Sequence, residues 1–140
     1  MSTSVRVPYI RRALWQLGWT AFLAFFGAVY EHFGHGVYSP FMIYAFALPL
    51  TLGALPWCAL ALKPRRAVCE GAARLWDSGV LTLAVGSVFR GVLDIFGTTN
   101  RLVAVYPAAG AVLLLTGALW WIRSGKPAHI DAERSAKHNI

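Results

Sequence analysis

The chain has 140 residues, of which 57% are hydrophobic and 14% charged, and it carries a formal net charge of +7. So apolar a sequence leaves little polar surface for a separate soluble domain. Its basic residues flank apolar stretches instead of forming one patch, which argues against nucleic-acid binding. We therefore expect an integral membrane protein in contact with the lipid bilayer.

Four apolar stretches follow one another, each close to the roughly 20 residues that a helix needs to cross a bilayer. We predict an all-α fold of four transmembrane helices at residues 13–30, 41–62, 76–96 and 102–122. The chain then divides into a basic N-terminus (1–12), a first hairpin (13–64), a loop (65–75), a second hairpin (76–122) and a polar tail (123–140).

Basic residues lie beside alternate ends of these spans. The three clusters are Arg6, Arg11 and Arg12; Lys63, Arg65, Arg66 and Arg74; and Arg123, Lys126, Arg134 and Lys137. Short basic segments stay on the cytoplasmic side, so we predict a multi-pass protein of the plasma membrane with both termini cytoplasmic. Tryptophans fall at the same ends and indicate an aromatic belt there: Trp15, Trp57, Trp76, Trp120 and Trp121.

The second half of the sequence resembles the first. Residues 52–57 (LGALPW) are similar to residues 116–121 (TGALWW), and residues 31–34 (EHFG) are similar to residues 94–97 (DIFG). We interpret this as an internal duplication, which would relate two parallel hairpins by an axis along the membrane normal. The alternative is that Gly, Ala, Leu and Trp are simply common near helix ends.

Polar groups that are costly to place near a membrane concentrate at the predicted outer ends of spans one and three. We predict a ligand-binding cluster there, composed of Glu31, His32, His35, Arg90, Asp94 and Asn100. Arg90 needs a counter-ion, which either Asp94 at i+4 or Glu31 can supply. A purely structural ion pair is the competing interpretation.

Three of these residues, Glu31, His32 and His35, could bind a divalent metal ion such as Zn or Cu. A quinone is another candidate cofactor. We expect a binding or accessory subunit that works with a membrane-protein partner or a second copy of itself. The alternative is a redox or transport component that binds a metal or quinone. An enzyme is the third and least favoured interpretation, because no pair of nucleophile and base is evident.

Helix packing is also predicted from small residues and prolines. Ser78, Thr82 and Gly86 form a row that resembles a packing seam on span three. Pro49 and Pro56 should either kink span two or leave a carbonyl free for a ligand.

Overall fold

The computed structural model describes residues 3–34, 36, 38–63 and 68–124, and this part of the chain is helical without strands. Helix α1 covers Thr3–Phe33, α2 Pro40–Ile43, α3 Leu55–Leu62, α4 Glu70–Ile95 and α5 Val105–Ser124. A π-helical segment, Pro49–Ala54, precedes α3, and a 3-10 turn, Arg101–Ala104, precedes α5. The predicted all-α class is confirmed.

Three helical stretches are long and apolar enough to cross a membrane: Arg6–Phe33, Glu70–Ile95 and Arg101–Ser124. Their outward side chains are strongly apolar. Phe25 is 71% exposed, and Val112, Leu115 and Ile122 are each more than 60% exposed. Lipid tails are the natural surroundings for such side chains, which identifies the chain as a membrane protein. The plasma membrane and the cytoplasmic termini stay predictions.

The predicted second span, 41–62, is not one continuous α-helix. Its chain runs through α2, a turn at Tyr44–Phe46 and the π-helical segment before α3 begins, and the apolar helical part, Pro49–Leu62, is shorter than a full span. Prolines explain these breaks, because each lacks a backbone N–H and its ring crowds the preceding turn. A fourth crossing therefore stays a prediction.

Pro56 leaves a carbonyl without its usual α-helical donor. It cannot donate to the Leu52 carbonyl four residues earlier, and the indole Nε1 of Trp76 on α4 donates to that oxygen at 2.7 Å instead. The free carbonyl that proline predicts is thus used in helix packing. Trp57 is also wrongly predicted as an interfacial anchor, because only 3% of it is exposed and its indole N–H has an internal acceptor.

Both loop regions at the predicted outer end turn at glycines. Gly36 and Gly97 have φ values of 86° and 67°, a conformation that side chains with a Cβ rarely adopt. At the end of α4, Gly97 N donates to Asp94 O and Thr98 N donates to Leu93 O. This pair of bonds is a Schellman motif, which ends α4 and directs the chain into the 3-10 turn.

Helices α4 and α5 form the closest pair, and glycines make their approach possible. A Cβ added at Gly79 would lie 3.1 Å from the Gly110 carbonyl oxygen, and one added at Gly117 would lie 3.0 Å from the backbone nitrogen of Trp76. Gly86 meets Tyr106 in the same way. Of the row predicted as a packing seam, Gly86 thus packs against α5. The Thr82 hydroxyl instead donates a hydrogen bond to the Ser78 carbonyl of its own helix.

The remaining packing leaves one side of the bundle open. Helix α1 packs on α2, the π-helical segment and α3, while α5 packs on α4 and the 3-10 turn. Within the described residues α5 makes no close backbone approach to α1 or α3. Two grooves lie along this open side over α4, one at each end. This pairing is what two hairpins would produce, but the sequence duplication itself stays a prediction.

Candidate functional site

A partly buried carboxylate, Asp77, organises one end of the bundle. Its Oδ1 accepts hydrogen bonds from Gln16 Nε2 at 3.0 Å and from Trp57 Nε1 at 2.7 Å. Its Oδ2 accepts a hydrogen bond from the Arg12 guanidinium. The four residues come from α1, α3 and α4, so a single acid joins three helices. We call this set the Asp77 cluster.

The Arg12 guanidinium has further partners. It lies 2.7 Å from Glu70, which also contacts Arg74 at 3.1 Å, and it stacks over the Trp57 ring with its central carbon 5.4 Å from the centroid. Two cations therefore face two carboxylates, Glu70 and Asp77, and the charges balance. Both oxygens of Asp77 are occupied, so the cluster suits a structural role, although the buried Gln16 Oε1 accepts no hydrogen bond from a described residue.

The sequence builds this cluster from spacing and a glycine. Arg12 and Gln16 are four residues apart on α1, so they share a face. Gln16 is fully buried against Gly53, where an added Cβ would lie only 2.7 Å from the Gln16 Oε1 atom. The glycine of the π-helical segment thus makes room for the amide that reaches Asp77.

At the other end, the predicted counter-ion of Arg90 is present. Arg90 Nε lies 3.3 Å from Asp94 Oδ1, one turn further along α4. The contact is electrostatic only, because Nε is buried and makes no hydrogen bond within the described residues. Asp94 also accepts a hydrogen bond from the Ser39 hydroxyl at 3.1 Å. The Arg90 guanidinium lies over the Phe41 ring, 5.6 Å from its centroid.

Arg90 also lines the larger of the two grooves, which we call the Arg90 groove. Its volume is about 1010 Å³, and it lies between the segment from Pro40 to Thr51 on one side and the 3-10 turn with the start of α5 on the other. The walls include Phe41, Leu48, Leu83, Val103 and Pro107, and the polar lining includes Ser87, Arg90, Asn100 and Arg101. A smaller groove of about 460 Å³ at the opposite end is lined by Trp57, Trp76, Trp121 and Lys63 among others.

Of the predicted site residues that the structure describes, three lie in or beside the Arg90 groove. Arg90 and Asn100 share the Arg90 groove, and Asp94 pairs with Arg90 from outside its lining. Glu31 and His32 lie at the end of α1 and do not line this groove. Glu31 Oε1 is buried without a hydrogen-bond partner in the described part of the chain, and the exposed His32 contacts the Phe33 ring.

The predicted metal site includes His35, which lies outside the described residues. Among residues that the structure describes, no three His, Cys, Asp or Glu side chains come together in a way that could hold a metal ion. The proposed set of Glu31, His32 and His35 therefore stays a prediction.

Sequence reasoning missed the Asp77 cluster. The available signal was a lone acid near the start of an apolar span, together with a glutamine and an arginine at helical spacing on another. Comparison of the chain with protein-family models, curated proteins and solved structures gives no match.

Proposed function

We propose that this chain is a membrane-embedded binding or accessory subunit that holds an amphipathic ligand in the Arg90 groove. The observation that carries the proposal is the Nε atom of Arg90, which is buried and makes no hydrogen bond with any described residue, on a side chain that lines a largely apolar groove. A guanidinium has five N–H donors and is costly near a membrane unless they find acceptors.

A comparison of two arginines supports this role. Arg12 and Arg90 both lie on long apolar helices, but Arg12 hydrogen-bonds to a carboxylate and contacts a second one closely. Arg90 has a single ion contact, at 3.3 Å, and the two arginines share only the feature that each lies over an aromatic ring. Arg12, with two close carboxylate partners, has the contacts of a structural arginine, whereas Arg90 has fewer and longer contacts to carboxylates.

The size and lining of the Arg90 groove also suit a ligand. Ligand pockets are commonly about 300–1,000 Å³, mostly apolar, with a few polar groups that fix orientation. The Arg90 groove, at about 1010 Å³, has that composition, and its lining includes the exposed ring of Tyr44. An amphipathic molecule could enter from the bilayer without passing through water.

The proposal includes a topology. Both termini would be cytoplasmic in the plasma membrane, as the flanking basic residues favour, which would put the Arg90 groove at the outer end of the bundle. The open side between α3 and α5 would also be available to a partner protein or a second copy. Cysteine accessibility to a membrane-impermeant reagent at positions 38 and 123 would test the orientation.

Ligand binding can be tested by native mass spectrometry of protein extracted in mild detergent. Ala104→Trp would place an indole over the groove that Ala104 lines, and Ala108→Trp would put the same side chain one helical turn away, outside the lining. We expect a bound amphiphile that is lost from the Ala104 variant and kept by the Ala108 variant. A protein without bound mass, whose thermal stability responds to no lipid or quinone added, would contradict the proposal.

A further inference from the structure

We infer that the ligand of the Arg90 groove carries an acidic head, and that it is an acidic lipid of the surrounding bilayer. This inference rests on the proposed function and adds the chemical class of the ligand. The head would lie against Arg90 and Arg101, and the acyl chain would follow the apolar walls of the groove toward Leu83 and Leu48.

The polar groups at this end of the groove are mainly donors. Arg90 and Arg101 can only donate. Asn100 Oδ1 is occupied, since it accepts the Leu102 N–H at 2.9 Å as the cap of the 3-10 turn, which leaves its amide NH2 group to donate. The Ser87 hydroxyl gives its proton to the Phe41 carbonyl at 2.7 Å and keeps only acceptor lone pairs, so the donors of Arg90, Arg101 and Asn100 dominate the polar lining. Such a lining favours an anion and disfavours a metal ion.

The charges favour a single negative group. Asp94 lies close to Arg90, whereas Arg101 makes no ion pair with any described residue. One acid beside two arginines leaves a net charge of +1 around the groove end. A phosphodiester or a carboxylate would balance that charge, and both accept the paired hydrogen bonds that guanidinium groups donate.

Depth distinguishes a lipid from a soluble anion. Arg90 lies five residues before the end of α4 at Ile95, which places it roughly 7–8 Å inside that end of the helix. Arg101 begins the next element at the helix end. The two arginines therefore span the depth of a headgroup layer, and the apolar lining continues below them. A free anion would leave that apolar part unused.

The test measures thermal stability and native mass spectra of purified protein in a neutral detergent. Phosphatidylglycerol and phosphatidylcholine with identical acyl chains are compared, and inorganic phosphate provides the soluble anion. Variants are Arg90→Gln, Arg101→Gln and the control Arg123→Gln, which removes an exposed arginine from the last turn of α5. We expect preferential binding of phosphatidylglycerol, weakened roughly tenfold or more by each groove variant and unchanged by the control.

Arg101→Gln keeps the test decisive if Arg90→Gln fails to fold, because Arg101 is exposed and unpaired among the described residues. Equal binding of both lipids, or an equal loss in the Arg123 control, would overturn the inference. A response to inorganic phosphate as large as that to phosphatidylglycerol would overturn the lipid assignment. Binding of phosphatidylcholine that is lost in Ala104→Trp would leave the proposed function standing while the acidic head fails.

Discussion

Replacing Asp77 by alanine should destabilise this protein more than any other single loss of a charge. Gln16 is 0% exposed and Trp57 is 3% exposed, so each donor left without an acceptor costs about 1–3 kcal/mol. Arg12 keeps its 2.7 Å contact with Glu70, which limits the cost of its lost partner. We expect a total loss of roughly 3–5 kcal/mol in the free energy of unfolding, as for other broken buried pairs.

The measurement is equilibrium unfolding in mixed micelles, followed by circular dichroism as SDS is added. Asp94→Ala is the matched control, because Asp94 lies on the same helix and its ion pair is local and more exposed, at 28% against 15% for Asp77. We expect the control to lose less than about 1.5 kcal/mol. If Asp77→Ala unfolds at the same SDS fraction as the control, the Asp77 cluster does not hold the helices together.

A second variant separates charge from hydrogen bonding. Asp77→Asn keeps an acceptor oxygen for Gln16 and Trp57, so it should fall between the wild type and Asp77→Ala. Combining Asp77→Leu with Arg12→Met removes both charges and should recover part of the loss, since an unpaired buried cation is no longer present. A double variant no more stable than Asp77→Leu alone would show that the ion pair is not what the single change disrupts.

Three further changes test the packing by the same unfolding assay. Gly53→Ala would place a Cβ 2.7 Å from Gln16 Oε1 and displace that amide from its acceptor, so we expect a loss of about 1–3 kcal/mol; wild-type stability would refute it. Gly79→Ala would bring a Cβ within 2.8 Å of α5, and we expect a similar loss of roughly 1–3 kcal/mol. The control Gly18→Ala has nothing within 4 Å of the added Cβ and should be neutral or slightly stabilising. Equal effects of the two changes would contradict close packing of α4 on α5 at Gly79. Trp76→Phe removes the donor to a proline-freed carbonyl and should cost about 1–3 kcal/mol, and no loss would mean that water replaces it.

The positions of the three long helices were predictable, because a continuous apolar stretch is enough to locate a helix of this kind. Span one lies within α1, span four lies within the stretch Arg101–Ser124, and span three ends one residue beyond α4. Helices α1 and α4 begin earlier than their spans, because basic and acidic residues continue the helix beyond the apolar part. The interruption of span two by a turn and a π-helical segment could not be predicted. Hydropathy does not distinguish a straight helix from a π-helical segment bounded by Pro49 and Leu55.

The candidate sites divide in the same way. The Arg90–Asp94 contact follows from spacing on one helix, so the sequence could predict it. The Asp77 cluster depends on the packing of three helices, and the sequence next to Asp77 does not indicate that Gln16 and Trp57 are its hydrogen-bond donors. The Arg90 groove depends on where α5 does not pack, which no periodicity in the sequence encodes.

The Asp77 cluster has a consequence for how the chain reaches its membrane orientation. Helices enter a bilayer before they pack against one another, so Arg12 is a full unpaired charge while α1 inserts. Only after α4 arrives do Glu70 and Asp77 neutralise it. Under the predicted topology, the same arginine would direct the orientation of α1 during insertion and then form a charge-balanced contact between helices in the assembled protein. An Arg12 variant would carry two separable defects, a mixed population of orientations and a bundle that comes apart in milder detergent.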